Sequence, residues 1–381
     1  MRIGLFTDTY YPQINGVATS VLMLRDQLKS LGHEVFVFTG TDPAAPFDEN
    51  DVYRIPSFPI VADRRLAYSP LGVMKTLNEL RIDLVHTHTE FSLGLLGRLT
   101  ARKYGVPLIH TMHTIYEYYT HYIPGLRHLD PVKKGAVKKL SAAFCNSADG
   151  VIVPTQKTKD LMLSYGVARD IAVIPTGIDI DGFISTIDTS EIKSLRERFG
   201  IEDEHRVVVN VGRISAEKNI DEILRAMKIY MSSRADVRLL IVGEGPAAKR
   251  LEALASDLGI AEKVIFAGGQ PWDEIANFYG LGRAFISASQ SETQGLTYIE
   301  ALASGLPVIA KNDHCLRGVL NDGDNGFIFD DARGMLRALD KLLFDESCRS
   351  RMSAQATLSA QRFSSEHFAQ SVQSIYFNAK K

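Results

Sequence analysis

At 381 residues the chain has room for two domains of roughly 100–200 residues each, and its 45% hydrophobic and 23% charged residues are the balance of a globular protein with a sizeable core. Lys plus Arg total 43 against 45 for Asp plus Glu, a net charge of −2 that argues against a general nucleic-acid binder while leaving room for a local basic patch. Three cysteines (Cys145, Cys315 and Cys348) cannot build a disulfide framework and point to a reducing compartment. The opening MRIGLFTDTYYP lacks a signal peptide's apolar stretch, and no run of about 18 apolar residues follows, so we expect neither a secreted nor an integral membrane protein.

Arg2 to Thr7 reads as a buried strand, Pro12 to Gly16 as a Gly-bearing loop, Ala18 to Leu31 as an amphipathic helix and Glu34 to Phe38 as a second strand. This β–loop–α–β unit opens a doubly wound sheet. Leu84 to His86, Pro107 to His110, Gly150 to Val153 and Ile171 to Ile174 fit further strands, giving one Rossmann-like domain over residues 1–175. Pro175 to Phe183, PTGIDIDGF, reads as a linker. The alternation then restarts with strand Arg206 to Val211, helix Ile220 to Ser232, strand Val237 to Val242 and helix Ala247 to Leu258. Strand Val264 to Ala267, helix Trp272 to Leu281, strand Ala284 to Ser287, helix Tyr298 to Ser304 and strand Pro307 to Ile309 continue it. We therefore expect an α/β chain of two Rossmann-like domains facing a central cleft, the second over residues 176–362. Pattern alone assigns the last helix, His367 to Asn378, to neither.

Four stretches carry chemistry. In VVVNVGRISAEKNID, a strand ends at Gly212, and Arg213 and Lys218 place two cations around the start of the next helix. A helix N-terminus already favours anions, so the pair suits a diphosphate; a solvated basic loop fits the spacing equally. In SETQGLTYIEALASGLPVIA, Glu292 and Glu300 stand eight apart with Gly295 between them. A helix starting near Gly295 puts Glu300 a turn or more inside, where a carboxylate needs partners such as ribose hydroxyls. Glu292 precedes that helix, free to meet a second polar ligand group or simply to favour the helix dipole.

HTMHTIYEYYTHYIPGLRH holds His110, His113, His121 and His128, but no pair has the i, i+4 spacing of a zinc helix and no cysteines accompany them. We read them as hydrogen-bonders rather than metal ligands, with His113 placed just past a strand end. Beyond them, Tyr116, Tyr118, Tyr119 and Tyr122 precede Arg127, Lys133, Lys134, Lys138 and Lys139. Aromatic residues beside a basic helix suit an anionic membrane surface, and a solvated helix face with core tyrosines explains the composition as well. Phe58 to Val73, with Arg64 and Arg65, favours the membrane reading slightly. Gly243-Glu244-Gly245-Pro246 is half a dinucleotide fingerprint and does not support a dehydrogenase.

Taken together, NGVATS, GHEVFVFT, GRISAEKN, VGEGP and ETQGLTYIE followed by ALASGLPVIA resemble the retaining glycosyltransferases of the GT-B fold, specifically the GT4 family, over essentially the whole chain. Ala216-Glu217 stands where many relatives carry Lys-Pro or Glu-Pro, with the cation positions retained. The resemblance implies that Arg213 and Lys218 hold the diphosphate of a UDP-sugar and that Glu300 binds the ribose. It implies that Glu292, with the amides of Gly295, Leu296 and Thr297, holds the hexose. His113 would bond the sugar from the first domain, and Gly16 would let backbone approach the phosphates. The terminal residues 363–381 would pack back on the first domain.

ETQG and HTMHTIYEYYTHY look most like the bacterial enzymes that glucosylate diacylglycerol. That likeness implies UDP-glucose, diacylglycerol and an anionic lipid surface as partners. Tyr119, Arg127, Lys133, Lys134, Lys138 and Lys139 would form the membrane and acceptor face. It also implies a cytoplasmic protein peripheral on the inner face of the cell membrane, needing no cofactor and no metal. A soluble sugar or sugar-phosphate acceptor, an epimerase and a non-catalytic nucleotide-sugar binder are the rival readings.

Overall fold

A computed structural model describes residues 1–381 except 14, 46–49, 62–63, 69–70, 116–129 and 381, and not the side chains of 60, 61, 64, 71, 72 and 130–133. The expected roles of Tyr119 and Arg127 lie outside the described residues, and so does the Lys133 side chain. The chain divides into two compact units, Met1–Gly177 with Ser365–Lys381, and Ile178–Ser364.

In the first unit β1 (Arg2–Phe6), β2 (Glu34–Gly40), β3 (Val52–Ile55), β6 (Leu84–Thr87), β7 (Leu108–Thr111), β8 (Gly150–Val153) and β9 (Ile171–Val173) form one sheet, in order β3-β2-β1-β6-β7-β8-β9. Every pairing is parallel. The central strands are apolar on both faces because helices cover both. One face buries Ile3, Leu5 and Leu84 against α1 (Gly16–Ser30) and α14 (Ser365–Ala379). The other buries Phe6, Val85 and Val151 with Leu93 and Leu96 of α3 (Ser92–Tyr104) and Ala142 and Cys145 of α4 (Asp130–Asn146). A separate antiparallel hairpin, β4 (Ser57–Val61) and β5 (Arg64–Ala67), precedes α2 (Leu71–Leu80).

The second unit repeats the plan. β10 (Arg206–Val211), β11 (Val237–Val242), β12 (Val264–Gly268), β13 (Ala284–Ser287), β14 (Val308–Lys311) and β15 (Gly326–Phe329) form a parallel sheet in order β12-β11-β10-β13-β14-β15. α8 (Ile220–Met231), α9 (Ala248–Asp257) and α12 (Ala332–Phe344) cover one face; α10 (Ile275–Gly280), α11 (Leu296–Ala303) and α13 (Glu346–Ala360) cover the other.

The expected linker is a correction. Within PTGIDIDGF, Ile178, Ile180 and Phe183 are core residues of the second unit. The polar half of the pattern is capping chemistry: Asp179 accepts from the Gly182 amide at 2.9 Å and starts a short helix, Ile180–Ser185. Packing there belongs to the second unit from Ile178 onward.

Candidate functional site

An open parallel sheet binds ligands outside the carboxyl ends of its strands, at the point where strand order reverses. In the second unit that point lies between β10 and β13, which pair side by side while their connections leave in opposite directions. Asn210 spans the gap there, its amide donating to the Ile286 carbonyl at 2.7 Å.

The two loops that leave these strands contain the residues the sequence singled out. After β10 the chain passes Gly212 and an exposed Arg213, then makes a short 3-10 turn, Ala216–Lys218, into α8. After β13 it runs Ala288 to Gly295 into α11. Asn219 donates to the Ala288 carbonyl at 3.2 Å, Ser291 donates to the Glu217 carbonyl at 3.4 Å, and Lys218 forms a partly buried salt bridge with Glu292. The two side chains that the resemblance assigns to different parts of a sugar nucleotide are thus direct partners.

The loop after β11 supports this arrangement. At Gly243, φ is +140°, and an added Cβ would lie 2.0 Å from the Gly212 carbonyl oxygen. Only glycine lets the two loops stack backbone on backbone, with Ile214 N–H bonded to the Glu244 carbonyl at 2.8 Å. VGEGP is therefore a support for the Arg213–Lys218 loop.

Gly295 starts α11 at φ +78°, and a Cβ there would meet the Tyr298 ring at 2.5 Å. The first amides of α11, Leu296 and Thr297, lie at the helix end that favours anionic ligands. Glu300, one turn in, is partly buried; loss of solvent raises its pKa, against a hydrogen bond from Tyr279 to Oε2 at 2.8 Å. Burial, then the Glu300 charge, pushes the Tyr279 phenol well above its ordinary range, so it stays a donor.

The first unit has its own reversal point, between β1 and β6. Gly16 is the first residue of α1, with Asn15 as its cap accepting from Val17 and Ala18 amides at 3.1 and 3.0 Å. Asp8, six per cent exposed, accepts from Thr89 and Ser92 hydroxyls at 2.5 Å and from the Leu93 amide at 3.0 Å. At the ends of β6 and β7 stand His86, His88, His110 and His113. His113 follows β7 and pairs its Nε2 with His88 Nδ1 at 3.0 Å. Burial, and then His110, holds the His113 pKa down to about 3. His110 bonds Glu90 at 3.3 Å and Thr87 at 2.9 Å. Among the described residues no group of three or more His, Cys, Asp or Glu is placed to hold a metal ion.

The sequence profile described as Glycosyltransferase Family 4 matches residues 14–181, and that described as Glycosyl transferases group 1 matches residues 191–359. An alpha-monoglucosyldiacylglycerol synthase of Streptococcus pneumoniae is 40% identical over 100% of this chain and 86% of its own. One from Acholeplasma laidlawii is 33% identical over 99% of this chain and 97% of its own. The chain belongs to glycosyltransferase family 4. Its fold is GT-B: the structure of Anabaena HepE in complex with UDP and glucose aligns with a TM-score of 0.79 at 18% identity, covering 99% of this chain and 100% of that one. Sucrose-phosphate synthase from Thermosynechococcus elongatus aligns with a TM-score of 0.78 at 21% identity, covering 99% of both.

Four residues of this glycosyltransferase's candidate site, Asp8, His86, His88 and Tyr279, lie outside the stretches whose sequence carries a chemical signal. His86 closes the expected strand Leu84 to His86, and in an extended backbone His88, two positions on, takes the same side. Tyr279, 21 residues before Glu300, carried no local signal.

Proposed function

We propose that this glycosyltransferase moves glucose from UDP-glucose to the 3-hydroxyl of 1,2-diacylglycerol with retention, releasing UDP and making α-monoglucosyldiacylglycerol at an anionic membrane surface. The observation that carries the reading is full-length similarity to two proteins named alpha-monoglucosyldiacylglycerol synthase, at 40% and 33% identity. A D-inositol 3-phosphate glycosyltransferase from Acidothermus cellulolyticus matches over 78% of the chain at 32%.

On this reading Arg213 and Lys218 stabilise the charge that gathers on the diphosphate as its bond to the anomeric carbon breaks. Glu292, oriented by its salt bridge to Lys218, accepts from hexose hydroxyls. Tyr279 holds one oxygen of Glu300 and the other accepts from the ribose. His113 bonds the hexose. The acceptor oxygen attacks the face that the diphosphate leaves, and the departing phosphate oxygen takes its proton. Arg213 and Lys218 supply the charge, so the proposal calls on no metal and no cofactor.

The first unit supports a lipid surface. Among the described residues no helix is long and apolar enough to cross a membrane. α3 instead turns an apolar stripe outward: Phe91, Leu95 and Leu99, four apart, are 36%, 51% and 65% exposed. Arg98, Arg102 and Lys103 follow on the same helix, which contains no acidic residue. A groove of about 110 Å³ beside it is lined by Ile55, Ala67, Leu93, Leu95, Leu96 and Leu99, and Phe58 and Tyr68 of the β4–β5 region are exposed nearby in sequence. Arg98 reaches the Ala143 carbonyl of α4, one turn beyond the exposed Lys139 and Leu140; Lys134 and Lys138 are partly buried. Apolar side chains interleaved with cations suit an anionic bilayer.

The deciding experiment incubates the protein with UDP-glucose and mixed micelles of diacylglycerol and anionic lipid. A hexosyl-diacylglycerol detected by mass is the expected product, and Lys218→Ala removes it. UDP release only with soluble sugars or sugar phosphates refutes the lipid acceptor. Leu95→Ser with Leu99→Ser should weaken vesicle binding by about 2 kcal/mol, from the exposed fraction of two leucines worth about 1.5–3 kcal/mol each. Unchanged binding removes this face from the membrane contact.

A further inference from the structure

His88 lies just past the end of β6, two per cent exposed, and its buried Nε2 has no hydrogen-bond partner among the described residues. Its Nδ1 meets His113 Nε2 at 3.0 Å. The ring above it gives no help. His86 lies 4.0 Å away, centroid to centroid, and both of its nitrogens are engaged, Nδ1 with the Tyr376 hydroxyl and Nε2 with the Thr111 hydroxyl, each at 2.7 Å.

Burial and the neighbouring imidazoles keep His86, His88 and His113 neutral. One proton therefore lies between His88 and His113, and two arrangements exist. If His113 Nε2 carries it, His88 must hold its own proton on Nε2, leaving a buried N–H with nothing to receive it. If His88 Nδ1 carries it, His88 Nε2 is a bare lone pair, and His113 keeps its proton on Nδ1. Orphaned buried donors are rarer in proteins than orphaned acceptors. The second arrangement wins.

We propose that His88 is a positioning residue: its Nδ1–H donates to His113 Nε2 and so holds His113 in the Nδ1–H form, a hydrogen-bond donor towards the transferred sugar. The catalytic part of this rests on the reading that His113 meets the hexose; the tautomer does not. A donor at that place suits a sugar hydroxyl oxygen and does not act as a base. Tyr376 of the C-terminal helix, by engaging His86, prevents that ring from competing for the His88 proton.

The test is nitrogen NMR of the full-length protein labelled at histidine, with His113→Gln used to assign the His113 signals. The wild type should show His113 protonated on Nδ1 and bare on Nε2. His88→Phe keeps a stacking ring but removes the donor. It should abolish this preference and lower kcat for glucosyl transfer by up to roughly tenfold, the scale of one lost hydrogen bond, with KM for diacylglycerol unchanged. His88→Asn places an amide donor near the same point and should restore most of the rate. An Nε2–H His113 in the wild type overturns the proposal, whatever the variants do. Wild-type kcat in His88→Phe overturns its functional half. If no variant, nor the wild type, glucosylates diacylglycerol, the acceptor reading fails while the tautomer spectrum still decides the role of His88.

Discussion

Acidification should loosen the first unit through its buried histidines, and His113 permits a magnitude. Its folded pKa of about 3 lies well below the 6.5 of an unfolded histidine, because burial and then His110 oppose a charge there. Below pH 6.5 the unfolded chain therefore binds a proton that the folded chain refuses, and stability falls as pH falls. Each pH unit is worth 1.36 kcal/mol, so by pH 5 the loss is about 2 kcal/mol, or about 1–2 once solvent at its partly exposed edge is allowed for. His86 and His88 are displaced in the same direction, while Asp8, whose carboxyl burial raises, works against them. A domain holds about 5–15 kcal/mol in all, so the effect is large enough to measure. Hydrogen exchange by mass spectrometry at pH 7 and pH 5, corrected for intrinsic exchange, reads opening free energies from β6 and β7 peptides. In His113→Gln the loss between the two pH values should be smaller by about 1–2 kcal/mol. An identical loss in wild type and variant would refute the argument that His113 is held neutral.

Glu300 has the opposite sign: burial raises its pKa, so its charge costs stability at neutral pH and the cost disappears as pH falls to its folded pKa and below. Glu300→Gln should raise the melting temperature at pH 7, by a margin that shrinks on acidification, while weakening UDP binding in calorimetry; unchanged UDP affinity would remove the ribose role. Gly295→Ala combines a φ of +78° with a Cβ 2.5 Å from the Tyr298 ring. It should destabilise the second unit by about 2–4 kcal/mol and reduce nucleotide affinity, and a variant with wild-type melting and affinity would show that α11 can start without glycine.

Much of the fold was legible because its signals are local. Apolar runs of strand length, alternating with amphipathic helices and restarting near Arg206, are enough to define two parallel α/β units. The Gly212–Lys218 loop and the Glu292–Glu300 segment were visible because glycine and charge sit at strand and helix ends. PTGIDIDGF misled because turn residues also make helix caps, and only packing distinguishes a linker from a capped core helix.

What only tertiary structure decided is which distant residues share a hydrogen bond. Lys218 and Glu292 are 74 positions apart, His88 and His113 are 25 apart, and His86 meets Tyr376 across 290. Strand order produces these pairs: β10 beside β13 and β6 beside β7 bring their following loops together, and the chain's return places α14 over the first sheet. A sequence period reports which side of its own element a residue occupies, because that is backbone geometry. It carries no record of the neighbouring element, and the chemistry of this site is made between elements.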